Sequence, residues 1–193
     1  VTSRENLGSR VAAIRESWGQ AENIPANVHV RYFVGSGPET KSDLLRRAGL
    51  EDSEELVVMS EVEDNEYPPV KKNTNMLKVT QKLVLKMESS SDTDFKYIMK
   101  VDDDTYVNFD GLLKFLAYRD PTNTHQYWGE RGIGFVKDRE GLKKAGLKKP
   151  YCTGGPGYVL SRETFDATVE GIDNCVQSAN ASPLREYLWH SDV

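Results

Sequence analysis

"YIMKVDDDTYVNF", Tyr97–Phe109, sets three aspartates directly behind a run built like a buried strand. Adjacent carboxylates repel one another and favour water, so their place at the end of an apolar run asks for a reason. In an α/β sheet with helical crossovers, ligands bind beyond the carboxyl ends of the strands. Asp102, Asp103 and Asp104 follow "YIMKV" at such an end. Hard oxygen donors there suit Mg²⁺ or Mn²⁺, with the metal neutralising phosphate oxygens of a substrate. A surface turn with an Asx cap explains an isolated triplet equally well. The context favours a site, because apolar "TYVNF" follows and the turn is flanked by apolar sequence on both sides.

Spacing excludes two other acidic motifs. A helix–loop–helix calcium site needs oxygen ligands continuing past Asp104, then a Gly and a later Glu, whereas Tyr106 and Phe109 fill that stretch. A phosphatase of the aspartyl-phosphate kind wants Asp-x-Asp-x-Thr, and counting from Asp102 puts Tyr106 where the Thr belongs.

Outward from the triplet, strand and helix alternate. "SRVAAIRESW" (Ser9–Trp18) predicts a helix with Val11, Ala12, Ile14 and Trp18 on one face, Ser9 as N-cap and Gly19 as stop. "VHVRYFVG" (Val28–Gly35) predicts a strand, "KSDLLRRAGLEDSEEL" a short helix, and "LVVMS" (Leu56–Ser60) a second strand. "EVEDNEYPP" reads as a loop, and a long helix is predicted over 70–87. "FKYIMKV" is a strand and "GLLKFLAYR" a helix. This rhythm predicts an α/β fold with a mostly parallel central sheet flanked by helices. After Asp120 come "HQYWGERGIG" (strand and turn), a basic Gly-broken stretch, the Gly-rich "PYCTGGPGYVLS" leading into a strand, and a helix from "RETFDATVEGI".

At 193 residues, with no internal repeat or low-complexity linker, one domain over 1–193 is expected. The net charge of −5 argues against a dedicated nucleic-acid binder, whose affinity would rest on a basic face. No apolar run is long enough to span a bilayer. The opening at Val1 without an initiator Met, and the stop at "WHSDV", lead us to expect a piece of a longer protein. Cys152 and Cys175 fit either a disulfide or two buried thiols, and Asn180-Ala-Ser is a glycosylation sequon, a combination that tilts towards a secretory compartment.

Four further stretches offer chemistry, each with an ordinary alternative. "GGPGY" (Gly154–Tyr158) is not a phosphate-cradling loop, since no Lys-Ser/Thr pair follows; it permits a close backbone approach, to a sugar ring or in a tight turn. Tyr127 and Trp128 suit stacking on a sugar or packing in a core. Lys71, Lys72 and Lys78 near a helix start oppose its dipole, which fits a local anion as well as a solvated face. Arg10 and Arg15 can reach a diphosphate or form surface pairs. The histidines show no metal-ligand spacing, and Asp192 by itself reads as a surface residue.

Taken in order, "RVAAIRESW", "YFVG", "DNEYPPVKKNTNMLK", "FKYIMKVDDDTYVN" and "CTGGPGYVLS" resemble glycosyltransferase family 31 over essentially the whole chain. Within it, "YPPVKKNTNMLK", "YWGERGIG", "YCTGGPGYVLSRE" and the "NC" at Cys175 are most similar to the N-terminal β1,3-glucuronyltransferase domain of chondroitin sulfate synthases. The resemblance implies a GT-A fold, Mn²⁺ dependence, a UDP-sugar donor, inversion at the anomeric carbon, and the Golgi lumen as part of a type II membrane protein anchored outside this stretch. It implies a glycan or glycosaminoglycan acceptor and association with related transferases. By position it makes Asp102–Asp104 the DxD-type element, with Asp104 the direct Mn²⁺ ligand, Asp102 beside it, and Asp102 or Asp103 on the ribose or donor sugar. Thr2 and Arg10 line the nucleotide, and Asp192 is the general base; Trp128, Gly154 and Gly155, by residue type, are the candidates to face the sugars. A glucuronate donor also wants a cation, from Lys71, Lys72 or Arg131. The departures are Ser191-Asp192 in place of two acidic residues, an opening strand expected before Val1, and a further metal-ligating His expected beyond Val193. Two rivals remain: a non-catalytic transferase-like partner subunit and a Mg²⁺-dependent nucleotide hydrolase. Within the family, β1,3-galactosyl- or N-acetylglucosaminyl transfer is the alternative.

Overall fold

The structure, a computed structural model, describes residues 1–51, 54–65, 70–91, 93–120, 125–132, 151–152 and 155–181. The chain divides into two compact units, residues 1–66 with 102–120, and residues 67–101 with 121–193.

The first unit is built on a strand–helix–strand crossover. β1 (Tyr32–Ser36) and β2 (Leu56–Glu63) pair in parallel from Tyr32↔Leu56 to Gly35↔Met59, and the register then shifts so that Ser36 meets Glu63. Between them α2 (Lys41–Ala48) begins at Thr40, whose hydroxyl accepts from the Asp43 N–H, and ends at Gly49 in the left-handed region. Leu44, Ala48, Val34, Leu56 and Met59 are buried, so this crossover supplies much of the unit's core.

Helical backbone starts earlier than predicted. A 3-10 turn over Arg4–Asn6 runs into a π turn over Leu7–Val11 and then α1 (Ala12–Arg15). Leu7, Val11, Ile14 and Trp18 keep a spacing of four, three and four and are all buried, so one apolar face persists through the change of turn type. Ser9 is not the N-cap; its hydroxyl bonds back to the Asn6 carbonyl at 3.4 Å inside the helical stretch. A Cβ at Gly19 would lie 2.6 Å from Ile14 Cγ2, which accounts for glycine at the stop.

The N-terminal residues are tied to β1. Thr2 N–H donates to the Phe33 carbonyl at 3.0 Å, and the buried Arg4 donates through Nε to the Gly35 carbonyl at 3.0 Å. Asp64, just past β2, accepts from the backbone N–H groups of Arg4 (2.6 Å) and Gly35 (2.8 Å). The acidic stretch read as a loop thus begins as strand and then pins two backbones.

After the aspartate triplet, Asn108 caps α4 (Phe109–Ala117) by accepting from the Gly111 N–H at 3.0 Å. Trp18 donates from its indole N–H to the Thr105 carbonyl at 3.1 Å, and its ring meets Phe109 edge-on with centroids 5.8 Å apart.

In the second unit, β3 (Tyr97–Lys100), β7 (Tyr158–Ser161) and β4 (Tyr127–Gly129) form an antiparallel sheet in the order β3-β7-β4. β5 (Arg131–Gly132) and β6 (Tyr151–Cys152) form a separate antiparallel pair. The mostly parallel sheet expected from the sequence is therefore corrected for the described residues: only β1/β2 is parallel. β7 follows Gly157 directly and lies against β3 in reverse, Tyr97 opposite Ser161. α3 (Val70–Ser90) and α5 (Arg162–Ala181) are joined by Gln81 to Asp166 at 2.9 Å, Lys78 to Asp173 at 2.5 Å, and Arg162, which grips Glu88 and Asp166. Phe165, Ile172, Leu77 and Val84 are buried in this unit. Cys175 is exposed and free, so the described residues support neither a disulfide nor a buried thiol there. No described helix is long and apolar enough to cross a membrane.

Candidate functional site at the aspartate triplet

Three of the predicted residues converge in the first unit. Asp103 has a side chain only 8% exposed and uses both oxygens. Oδ2 accepts from Thr2 Oγ1 at 2.5 Å and Asn6 Nδ2 at 3.0 Å, while Oδ1 accepts from Arg10 Nη1 at 2.7 Å. The backbone explains the meeting: Thr2 is held on β1, and the helical stretch that follows carries Asn6 and Arg10 one turn apart. Burial pushes the Asp103 carboxyl up, but the hydrogen bonds from Thr2, Arg10 and Asn6, with the Arg10 charge, outweigh it and hold the group below the usual carboxylate range. Its hydrogen bond to Asp103, reinforced by the three aspartate charges, raises Arg10 above the ordinary guanidinium value.

Asp104 is placed differently. Its side chain is 63% exposed, and Oδ2 meets the same Arg10 Nη1 at 3.2 Å. Asp102 is half-buried, and its carbonyl accepts from the Thr105 N–H at 3.3 Å, closing the turn. Arg10, 48% exposed, thus bridges two neighbouring carboxylates through one nitrogen.

Among the described residues no three His, Cys, Asp or Glu side chains stand together as a metal cage. Mg²⁺-like ions commonly bind through one or two carboxylates and complete their shell with water and substrate phosphates. An exposed Asp104 beside a half-buried Asp102 fits that donor chemistry. Asp103, with both oxygens taken by protein donors, serves as an anchor.

The other predicted residues lie elsewhere. Trp128, on β4, is half-buried and tilted against Tyr97 with ring centroids 6.0 Å apart. Gly155 is exposed, with open space where a Cβ would stand. Gly157 has φ of +93° and a Cβ position 2.7 Å from the Lys100 carbonyl oxygen, so its close approach is to β3. Lys72 is buried and Lys71 exposed in the first turn of α3. Gly154, Asp192 and the side chain of Arg131 lie outside the described residues. The sequence reading missed Asn6; the spacing of four from Thr2 to Asn6 to Arg10 was the available signal.

With this geometry in place, comparison with known proteins decides the family. The Fringe-like family profile matches residues 52–185, which include the triplet. The chain belongs to the Fringe-like family. Human and mouse chondroitin sulfate synthase 3 are each 31% identical to this Fringe-like chain over 196 residues, covering 100% of it. Mouse beta-1,3-galactosyltransferase 6 is 29% identical over 205 residues, covering 100% of this chain and 56% of its own. The Xenopus laevis glycoprotein-N-acetylgalactosamine 3-beta-galactosyltransferase 1 is 29% identical over 162 residues, 79% of this chain and 41% of its own. The chain spans 19% of the length of the two synthases. No solved structure gives a significant match. The expected membership of glycosyltransferase family 31, close to chondroitin sulfate synthase, is thereby established.

Proposed function

We propose that this Fringe-like chain catalyses inverting, metal-dependent transfer of a sugar from a UDP-sugar to the 3-hydroxyl of an acceptor sugar. The donor sugar is glucuronate and the acceptor N-acetylgalactosamine in chondroitin. The observation that carries the reading is the triplet's division of labour: Asp103 is locked to Thr2, Asn6 and Arg10, and Asp104 is left exposed on a domain of this family.

Asp104, with Asp102, would hold Mn²⁺, which when bound supplies positive charge to the diphosphate oxygens. Arg10 brings a second cation to the same place, fixed by Asp103. Asp192 takes the proton from the acceptor 3-hydroxyl as its oxygen bonds to the anomeric carbon and the bond to UDP breaks. Trp128 would present an aromatic face, and Gly154 and Gly155 room for close approach, to the sugars. The site works in the Golgi lumen, in association with related transferases.

A panel of UDP-sugars tested with Mn²⁺ against acceptors ending in N-acetylgalactosamine or glucuronate checks this. Transfer of glucuronate to N-acetylgalactosamine is expected. UDP-sugar hydrolysis at the same rate with and without acceptor would identify a hydrolase instead. A galactose donor is the second reading, favoured by the similarity to the two galactosyltransferases.

A further inference from the structure

The two contacts of Arg10 are unequal. Its Nη1 lies 2.7 Å from an oxygen of Asp103, whose side chain is 8% exposed and held from behind by Thr2 and Asn6. The same nitrogen lies 3.2 Å from an oxygen of Asp104, whose side chain is 63% exposed and has no other hydrogen bond described. Three successive carboxylates need a positive charge nearby, and Arg10 supplies it. One contact is built into the protein and the other opens to solvent.

We propose that Arg10 is a hinged counter-cation, with Thr2, Asn6 and Asp103 as its positioning residues. It neutralises Asp104 while no divalent ion is present. It gives up Asp104 when the ion and a nucleoside diphosphate arrive, and turns the freed side of its guanidinium to the diphosphate while keeping Asp103. This rests on the metal–diphosphate reading of the triplet. The guanidinium suits the exchange, since it presents five donors in a rigid fork and can keep one carboxylate while bonding phosphate with the rest. Arg10 and a divalent ion then compete for Asp104 when alone and cooperate once the diphosphate is bound.

The test is Mn²⁺ binding followed by the electron paramagnetic resonance of free Mn²⁺, first with metal alone and then with saturating UDP. Arg10→Gln removes the competing charge, so Mn²⁺ alone is expected to bind roughly tenfold more tightly than to the unsubstituted chain. With UDP present the order reverses, and Arg10→Gln binds Mn²⁺ more weakly. Arg10→Lys, which keeps the charge, stays close to the unsubstituted chain with metal alone. A merely structural Arg10 would shift both conditions the same way, and that result overturns the hinge, as does unchanged Mn²⁺ affinity in Arg10→Gln. Asp104→Asn separates the two readings. If it abolishes UDP-dependent Mn²⁺ binding while Arg10→Gln fails to tighten the metal alone, the hinge falls and the metal site stands. If the unsubstituted chain binds no Mn²⁺ even with UDP, both fall.

Discussion

Arg10 Nη1 stands 2.7 Å from Asp103 Oδ1, a contact that joins residues 93 positions apart and fixes the middle aspartate of the triplet. The folded Asp103 carboxyl lies below its unfolded value, so between the two the unfolded chain binds more protons and stability rises with pH. The contribution is complete above about pH 4 and disappears as the pH falls through the folded value. Asp103→Asn should cost about 1 to 2 kcal/mol near neutrality, given that Arg10 is half exposed and screened. That difference should shrink in denaturant melts repeated below pH 4. Asn6→Ala, which leaves Thr2 in place, should cost about 1 kcal/mol.

Tyr32 makes the opposite prediction. It is buried on β1, its hydroxyl has no partner among the described residues, and burial pushes it up to about 12, with Glu55 adding to the rise and Arg15 opposing it. Above pH 10 the unfolded chain loses this proton while the folded chain keeps it, so stability falls between pH 10 and about 12. The loss is on the order of 2 kcal/mol across that window. Tyr32→Phe should be about 1 kcal/mol more stable at pH 7 and should lack its share of the alkaline loss in melts followed by circular dichroism.

Local signals in the sequence carried local structure well. The helix expected over "KSDLLRRAGLEDSEEL" forms from Lys41 but ends at Ala48, because Gly49 takes the left-handed conformation and stops it. The triplet likewise stood out as a candidate because its chemistry lies in adjacent residues. What could not be read was pairing at a distance. Nothing local tells β7 to run antiparallel to β3, or Thr2 and Asn6 to reach Asp103 across about 100 residues of chain. Ser9 misled because a serine before an apolar run looks like a cap, whereas here the helical backbone had already begun at Arg4.

Glycines in one loop should behave differently. Gly157→Ala places a Cβ 2.7 Å from the Lys100 carbonyl at φ +93°, and a cost of about 2 kcal/mol or more is expected. A thermal melt should show a fall of roughly 4–8 °C. Gly155 faces open space, so Gly155→Ala should stay within about 0.5 kcal/mol of the unsubstituted chain.

Asp192→Asn should separate binding from chemistry. Under the proposed mechanism UDP and Mn²⁺ still bind, because the triplet is untouched, while transfer to the acceptor is lost for want of a base. Single-turnover transfer measured beside UDP affinity checks this; retained turnover removes Asp192 from that role.

The central claim is that the triplet holds a metal–diphosphate pair through Asp104. Calorimetric titration of UDP with and without Mn²⁺, for the unsubstituted chain and Asp104→Ala, tests it directly. UDP should bind the unsubstituted chain only when Mn²⁺ is present, and Asp104→Ala should lose that binding while keeping its fold. UDP affinity in Mn²⁺ that is unchanged by Asp104→Ala would contradict the claim.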